Sequence, residues 1–301
     1  MKKIIMFFVC VALCCASVAG LVACNNSSTQ EDNLADKGNW KVTSPDGTIS
    51  ADITMDAYGK LTYGVTKGGK TVVRESSLGF EIEEDDLTMT TVENVVSKKI
   101  QGEYENISGK VAKVEYTANE TTITLKAWEF CMDVVMRVYD DGYAFRYAIR
   151  KTDGTSGTMT VKSENTTFAF PKDATMWSQE YVTNTSGLNC FSYETSYQGR
   201  SISELSDTQY IAMPLLYNVP DSDYYSLVTE SELVGSGFYG SFLKVQEGQD
   251  GSGVMQTVHT PAGIKIDDNK VGYPFNSPWR VGVVGDMATV NTSELVEKVY
   301  D

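Results

Sequence analysis

Histidine is almost missing from this 301-residue sequence, where His259 stands alone. Histidine-rich metal sites need several imidazoles and have no support, and a serine or cysteine triad would have only His259 to take the nucleophile's proton. His259 precedes Thr260-Pro261-Ala262-Gly263, a turn-forming run, and reads as an exposed loop residue. Cysteine is nearly as scarce where it could matter. Of the six, Cys10, Cys14 and Cys15 lie in an apolar N-terminal stretch and Cys24 follows it, which leaves Cys131 and Cys190. Those two could pair in an oxidising compartment or pack as small buried thiols. No C-x-x-C pair is present in the body of the chain, so zinc-ribbon and thioredoxin-type readings have no support. Basic charge is short as well: 25 Lys and Arg stand against 40 Asp and Glu, for a net charge of −15. That surplus and the lack of a basic stripe argue against nucleic-acid binding, and favour solubility and uncharged ligands such as sugars. Helical periodicity is absent until Ser293–Tyr300.

Two apparent motifs lack the context that would give them meaning. Gly235-Ser236-Gly237-Phe238-Tyr239-Gly240 fits G-x-G-x-x-G, but a strand pattern follows it at Phe242. A dinucleotide site needs a helix there, whose N-terminus receives the pyrophosphate. Asp221-Ser222-Asp223 and Asp267-Asp268-Asn269 resemble pieces of calcium loops without the spaced ligands or the closing glutamate, and read as turns.

What is present begins with an export signal. Lys2 and Lys3 precede an uncharged run from Ile4 to Ala23, and Leu21-Val22-Ala23-Cys24 has the form of a lipobox. Residues 1–23 are expected to be a lipoprotein signal peptide, with cleavage before Cys24 and lipidation of that cysteine. Residues 24–39 then form a polar, flexible tether. The chain would be exported and held on the cell envelope through the lipid anchor alone.

The body reads as strands and turns. Ile49, Ala51, Ile53 and Met55 alternate with Ser50, Asp52, Thr54 and Asp56, which places one set in a core and the other in water. Phe130, Met132, Val134, Met136 and Val138 line one face of a long strand. Asp140-Asp141-Gly142 turns it, with Asp-Gly suited to positive φ in a tight hairpin, and Phe145, Tyr147 and Ile149 return. Similar runs recur at 158–162, 166–170, 224–229 and 242–245. The expected fold is all-β, one large two-sheet antiparallel sandwich over residues 40–290.

Chemistry concentrates between Trp177 and Glu204. Trp177, Tyr181, Phe191, Tyr193 and Tyr197 sit among Gly, Ser, Asn and Thr, with Glu180, Glu194 and Glu204 nearby. Sugar sites need flat apolar faces with a few oriented polar groups, and hard cations prefer carboxylate oxygen. The same composition also suits a long surface loop with some packed rings.

Several segments, taken in order, resemble glycoside hydrolase family 97. They are Ser44-Pro45-Asp46-Gly47, Leu61-Thr62-Tyr63, Gly69-Lys70, Ser77-Leu78-Gly79-Phe80, Arg137 to Tyr147, Glu164 to Pro171, Tyr193-Glu194-Thr195-Ser196-Tyr197, Tyr225 to Leu233 with Thr229-Glu230, and Ser277-Pro278-Trp279-Arg280. The central hairpin, Arg137 to Tyr147, is the most specific of them. The resemblance implies an N-terminal β-super-sandwich of the galactose mutarotase-like type, followed in the family by a catalytic (β/α)₈ barrel. Residues 291–301 would begin the linker to that barrel, which lies in cis or in trans. By its place in the motif, Glu194 would be the glutamate that the sandwich donates to a calcium ion at the barrel mouth. Trp177, Tyr181, Tyr193 and Tyr197 would contact α-glucoside or α-galactoside oligosaccharides. The catalytic acid and its partner carboxylate would belong to the barrel, so these residues alone are expected to be inactive. A rival reading is a free-standing surface glycan-binding lipoprotein that uses the same aromatics. A mutarotase-like epimerase is a third, disfavoured because such proton transfer generally uses histidine.

Overall fold

The computed structural model describes residues 30–31, 38–106, 111–184, 187–189, 195–233, 240–245, 255–259 and 269–300. The signal segment, Cys24, Cys190, Tyr193 and Glu194 lie outside these.

One face of a long sheet organises everything else. Its eleven strands are antiparallel. From one edge they run Gln30–Glu31, Thr91–Glu105, Lys113–Lys126, Phe130–Tyr139, Gly142–Lys151, Trp279–Gly285, Tyr225–Ser231, Leu215–Asn218, Thr175–Ser178 and Gln198–Ser201. Phe275–Asn276 adds beside Gly142–Lys151. The second layer is not one sheet. It is divided into a four-stranded sheet (Asn39–Thr43, Ile49–Met55, Leu61–Lys67, Lys70–Leu78), a three-stranded sheet (Lys270–Tyr273, Gly157–Glu164, Phe80–Ile82) and a second four-stranded sheet (Thr167–Phe168, Met255–His259, Ser241–Val245, Tyr210–Ile211). All three smaller sheets send side chains into one core against the long sheet. Ile49 and Val65, Phe80 and Ile82, and Leu243 and Val245 belong to the same buried cluster as Val134, Met136, Phe145 and Tyr147.

The alternation read from the sequence explains the central hairpin. Met132, Val134, Met136 and Val138 face the inter-sheet core, as do Tyr143, Phe145, Tyr147 and Ile149. Tyr139 and Ala144 face the opposite side, where Trp279, Val281 and Val283 join Leu295 and Val299 in a second core. The turn differs in detail from the Asp-Gly expectation. Tyr139 pairs with Gly142, so Asp140 and Asp141 form the two-residue loop and neither has positive φ. Gly142 is needed for space: a Cβ there would collide with the carbonyl oxygen of Gly282 and with Leu295 Cδ2.

Three other differences are local. Gln30–Glu31, inside the segment read as a flexible tether, pairs with Ser97 and Val96 and covers part of an edge strand. A helix at Met287–Thr292, capped by the Asp286 carboxylate accepting from the Thr289 amide at 2.8 Å, precedes the one at Leu295–Lys298. The segment read as the start of a linker thus docks Leu295 and Val299 onto the sheet. His259 ends the strand Met255–His259 instead of standing in a loop, opposite Ser241. Cys131 is a buried free thiol, 3.6 Å from Glu93 Oε2, and burial pushes its pKa up.

Candidate functional site and family relationship

The aromatic and acidic cluster lies at the far edge of the long sheet. Trp177 sits on Thr175–Ser178 between Gly199 and Leu216 of the flanking strands. Its indole lies over Gly199, where a Cβ would stand 2.6 Å from Nε1, and the Tyr225 ring lies 6.3 Å away. Trp177 is half-buried. Just beyond, Tyr181 packs edge-on against Phe242 (5.8 Å), which also meets Tyr210 (5.3 Å). The backbone joins the same groups, since the Tyr181 amide donates to the Tyr210 carbonyl at 2.9 Å. Trp177 is thus held beside Gly199 and Tyr225, and Tyr181 beside Phe242. Tyr197 is 53% exposed.

The carboxylates differ in their freedom. Glu180 Oε1 accepts from the Arg200 guanidinium and from Gln209 Nε2 at 2.7 Å, so an ion pair already engages it. Glu204 lies exposed on a short 3₁₀ turn. Thr195 is tied to the edge: Gln179 Nε2 donates to its carbonyl, and its hydroxyl donates to the Glu180 carbonyl at 3.4 Å. The residue after Glu194 is thereby anchored beside Gln179 and Glu180. Among the described residues no group of three or more His, Cys, Asp or Glu could hold a metal ion. Calcium takes six to eight oxygens, so the described part of this site does not fit it unaided.

Sequence reasoning missed a second convergence. Arg280 grips Glu164 with two hydrogen bonds, Nε to Oε1 at 3.0 Å and Nη2 to Oε2 at 2.6 Å, and its Nη1 meets Glu230 Oε1. Glu230 also accepts from the Ser241 amide and hydroxyl. All three charged side chains are buried. Burial alone would pull the Arg280 guanidinium down, but Glu164 and Glu230 outweigh it and hold its pKa well above the usual value. On the sheet's other face, Arg137 and Arg146 each lie 4.4 Å from the Trp279 ring centroid. Glu120 binds Arg137 at 2.6 Å, and Glu232 accepts from Arg146 at 2.9 Å and from Trp279 Nε1 at 3.1 Å. The family-like segments had marked most of these residues singly. Nothing in their spacing says that they meet.

Residues 42–301 match the family described as glycosyl-hydrolase 97 N-terminal. The chain belongs to glycoside hydrolase family 97. A probable retaining α-galactosidase from Streptomyces bingchenggensis (strain BCW-1) is 29% identical over 271 residues, which is 87% of this chain and 38% of that protein. A family 97 enzyme from Pseudoalteromonas sp. strain K8, solved in complex with panose and with acarbose, superposes with a TM-score of 0.71 at 23% identity. The match covers 87% of this chain and 38% of that one. A β-arabinopyranosidase is 28% identical with a TM-score of 0.70, over 82% of this chain and 40% of its own. The chain thus spans about two fifths of the length of these relatives. The family fold agrees with the all-β sandwich described above.

Proposed function

We propose that residues 40–290 are the N-terminal sandwich of an exported α-glycosidase of family 97. In this reading the sandwich helps to form a sugar site whose catalytic carboxylates lie on a barrel, carried in cis or in trans. The observation that carries it is the family match over 42–301 in a chain spanning 38% of its curated relative. The α-galactosidase relative and the panose and acarbose complexes support α-galactosides or α-glucosides as substrates.

The residues have distinct parts in this reading. Trp177 and Tyr181, held by Gly199 and Phe242, and the exposed Tyr197, with Tyr193, offer ring faces to sugar C–H groups. Glu194, next to the anchored Thr195, donates one carboxylate toward a calcium ion that the barrel otherwise holds. Calcium would supply electrostatic stabilisation near the scissile bond. Glu180 is the less suited donor, because Arg200 and Gln209 both hold its Oε1. Lipidation at Cys24 would keep the assembly on the cell envelope.

The test joins activity to calcium binding. The 301-residue chain alone is expected to leave nitrophenyl α-glucoside and α-galactoside intact, and to show no micromolar calcium site by calorimetry. Joined to a family 97 barrel, it should give calcium-dependent hydrolysis, and Glu194→Gln should weaken the apparent calcium affinity at least about ten-fold. Hydrolysis by the chain alone, or unchanged calcium dependence in Glu194→Gln, overturns the proposal.

A further inference from the structure

Three large apolar side chains stand far out of this molecule, and they share one end of the sandwich. Trp128 is 89% exposed, Tyr58 86% and Met89 75%. Trp128 occupies the tight turn between Lys113–Lys126 and Phe130–Tyr139, and Tyr58 the turn between Ile49–Met55 and Leu61–Lys67. Met89 lies on the loop that leads into Thr91, and Thr91 pairs with Lys126.

The two turns flank that loop. The Asp85 carboxylate accepts from the amides of Glu129 (2.7 Å) and Phe130 (2.9 Å), which ties the Trp128 turn to the loop's start. At the loop's end, Gly59 comes so near Thr90 that a Cβ would meet its carbonyl oxygen at 3.0 Å. The Trp128 turn is closed by the Ala127 amide donating to the Phe130 carbonyl at 2.9 Å, and the Tyr58 turn and the loop are fixed by their own carboxylates. Asp56 Oδ1 accepts from the Tyr58 and Lys60 amides at 2.8 and 2.9 Å, and Asp86 Oδ1 accepts from the Thr88 amide at 3.0 Å. Turns whose backbone is already ordered lose little backbone freedom on binding.

Tyr58 and Met89 also line the mouth of a 710 Å³ cavity that reaches inward to Leu78, Leu125 and Met132, with Thr88 and Asn165 among its polar groups. That is the size of a small-ligand site. The charge around it decides between occupants. Glu83, Glu84, Asp85 and Asp86 form one acidic run, and Asp56 and Glu129 flank it against Lys60 and Lys126. Such a surface repels anionic lipid headgroups and polyanions. Carboxylates beside exposed rings suit a neutral polyhydroxylated chain, whose hydroxyls donate while its C–H faces stack.

We propose that Tyr58, Met89 and Trp128 form a second surface, which binds a neutral polysaccharide away from the edge that carries Trp177. About five strand spacings separate the Trp128 turn from Thr175–Ser178, on the order of 25 Å. The inference rests on the glycosidase reading only for the choice of probe.

Electrophoresis of the full chain through gels containing amylopectin or galactomannan tests it. Retardation is expected in at least one gel. Trp128→Ala should weaken it about five-fold, Tyr58→Ala should also reduce it, and Met287→Ala, an exposed residue beyond Gly285 at the opposite strand ends, should leave it unchanged. Trp128 is so exposed that its removal should leave thermal stability intact. No retardation in either gel, or equal retardation of Trp128→Ala, overturns the proposal. So does Trp128-dependent sedimentation with phosphatidylethanolamine–phosphatidylglycerol vesicles in the absence of retardation, which assigns the surface to a membrane. None of these results bears on Glu194 or hydrolysis, so the two proposals fail separately.

Discussion

Arg280 shows how much one side chain can organise. It is 1% exposed and reaches two buried carboxylates from distant parts of the chain, Glu164 and Glu230. Its planar fork matches Glu164 in a way a lysine cannot. Removing one partner from a buried ion cluster leaves uncompensated charge in a poorly solvating interior. Arg280→Met should therefore cost about 3–5 kcal/mol in urea unfolding, with Arg280→Lys only a partial rescue. A change under about 1 kcal/mol would mean that water already solvates the cluster. Trp279, the next residue, faces the other way between Arg137 and Arg146. Adjacent residues on one strand thus hold both faces of the sheet, as strand alternation requires.

Among the elements, the C-terminal pair of short helices is the clearest case of structure made by packing. Neither helix is long enough to be stable alone. Leu295 and Val299 are fully buried against Tyr139, Ala144 and Trp279. Leu295→Ala is expected to cost about 2–5 kcal/mol, read by thermal or urea unfolding. The cap contributes with a pH signature. The Thr289 amide and hydroxyl hold the Asp286 carboxyl below its usual range, so its stabilisation is present above the unfolded value near 3.8 and is lost as pH falls through the folded one. Asp286→Asn keeps a capping oxygen and should flatten the stability change below about pH 4. An unchanged acid profile would show that the cap carries no charge-dependent stability.

The long arms Thr91–Glu105 and Lys113–Lys126 were not legible. The first is exposed or half-exposed along nearly its whole length, so no apolar alternation marks it as a strand. The hairpin Phe130–Lys151 was legible because the inter-sheet core demands every second residue.

At the scale of the molecule, the core between the layers is rich in buried phenols. Burial pushes Tyr63, Tyr143, Tyr147 and Tyr217 well above the usual tyrosine value, and pushes Tyr104, near Glu297 and Glu294, up to about 12. The unfolded chain releases these protons near pH 10 while the folded chain keeps them, so stability should fall as pH rises above about 10. Absorbance at 295 nm should show the exposed tyrosines titrating reversibly and the buried ones only with loss of near-ultraviolet circular dichroism. Titration of every tyrosine near pH 10 without unfolding would contradict the packing described.

By itself the sequence determined the all-β class, the central hairpin and its facing, the acidic surface and the family. Those follow from local alternation, turn residues and ordered motifs, each written within a few positions. Only the tertiary structure divided the second layer into three sheets and brought Glu164 to Arg280 across 116 residues. It also engaged Glu180 with Arg200, and gathered Tyr58, Met89 and Trp128 at one end. These depend on which strands become neighbours and which side chains remain exposed once the sheets have packed. Both are set by non-local burial and pairing, which no local pattern of residues encodes.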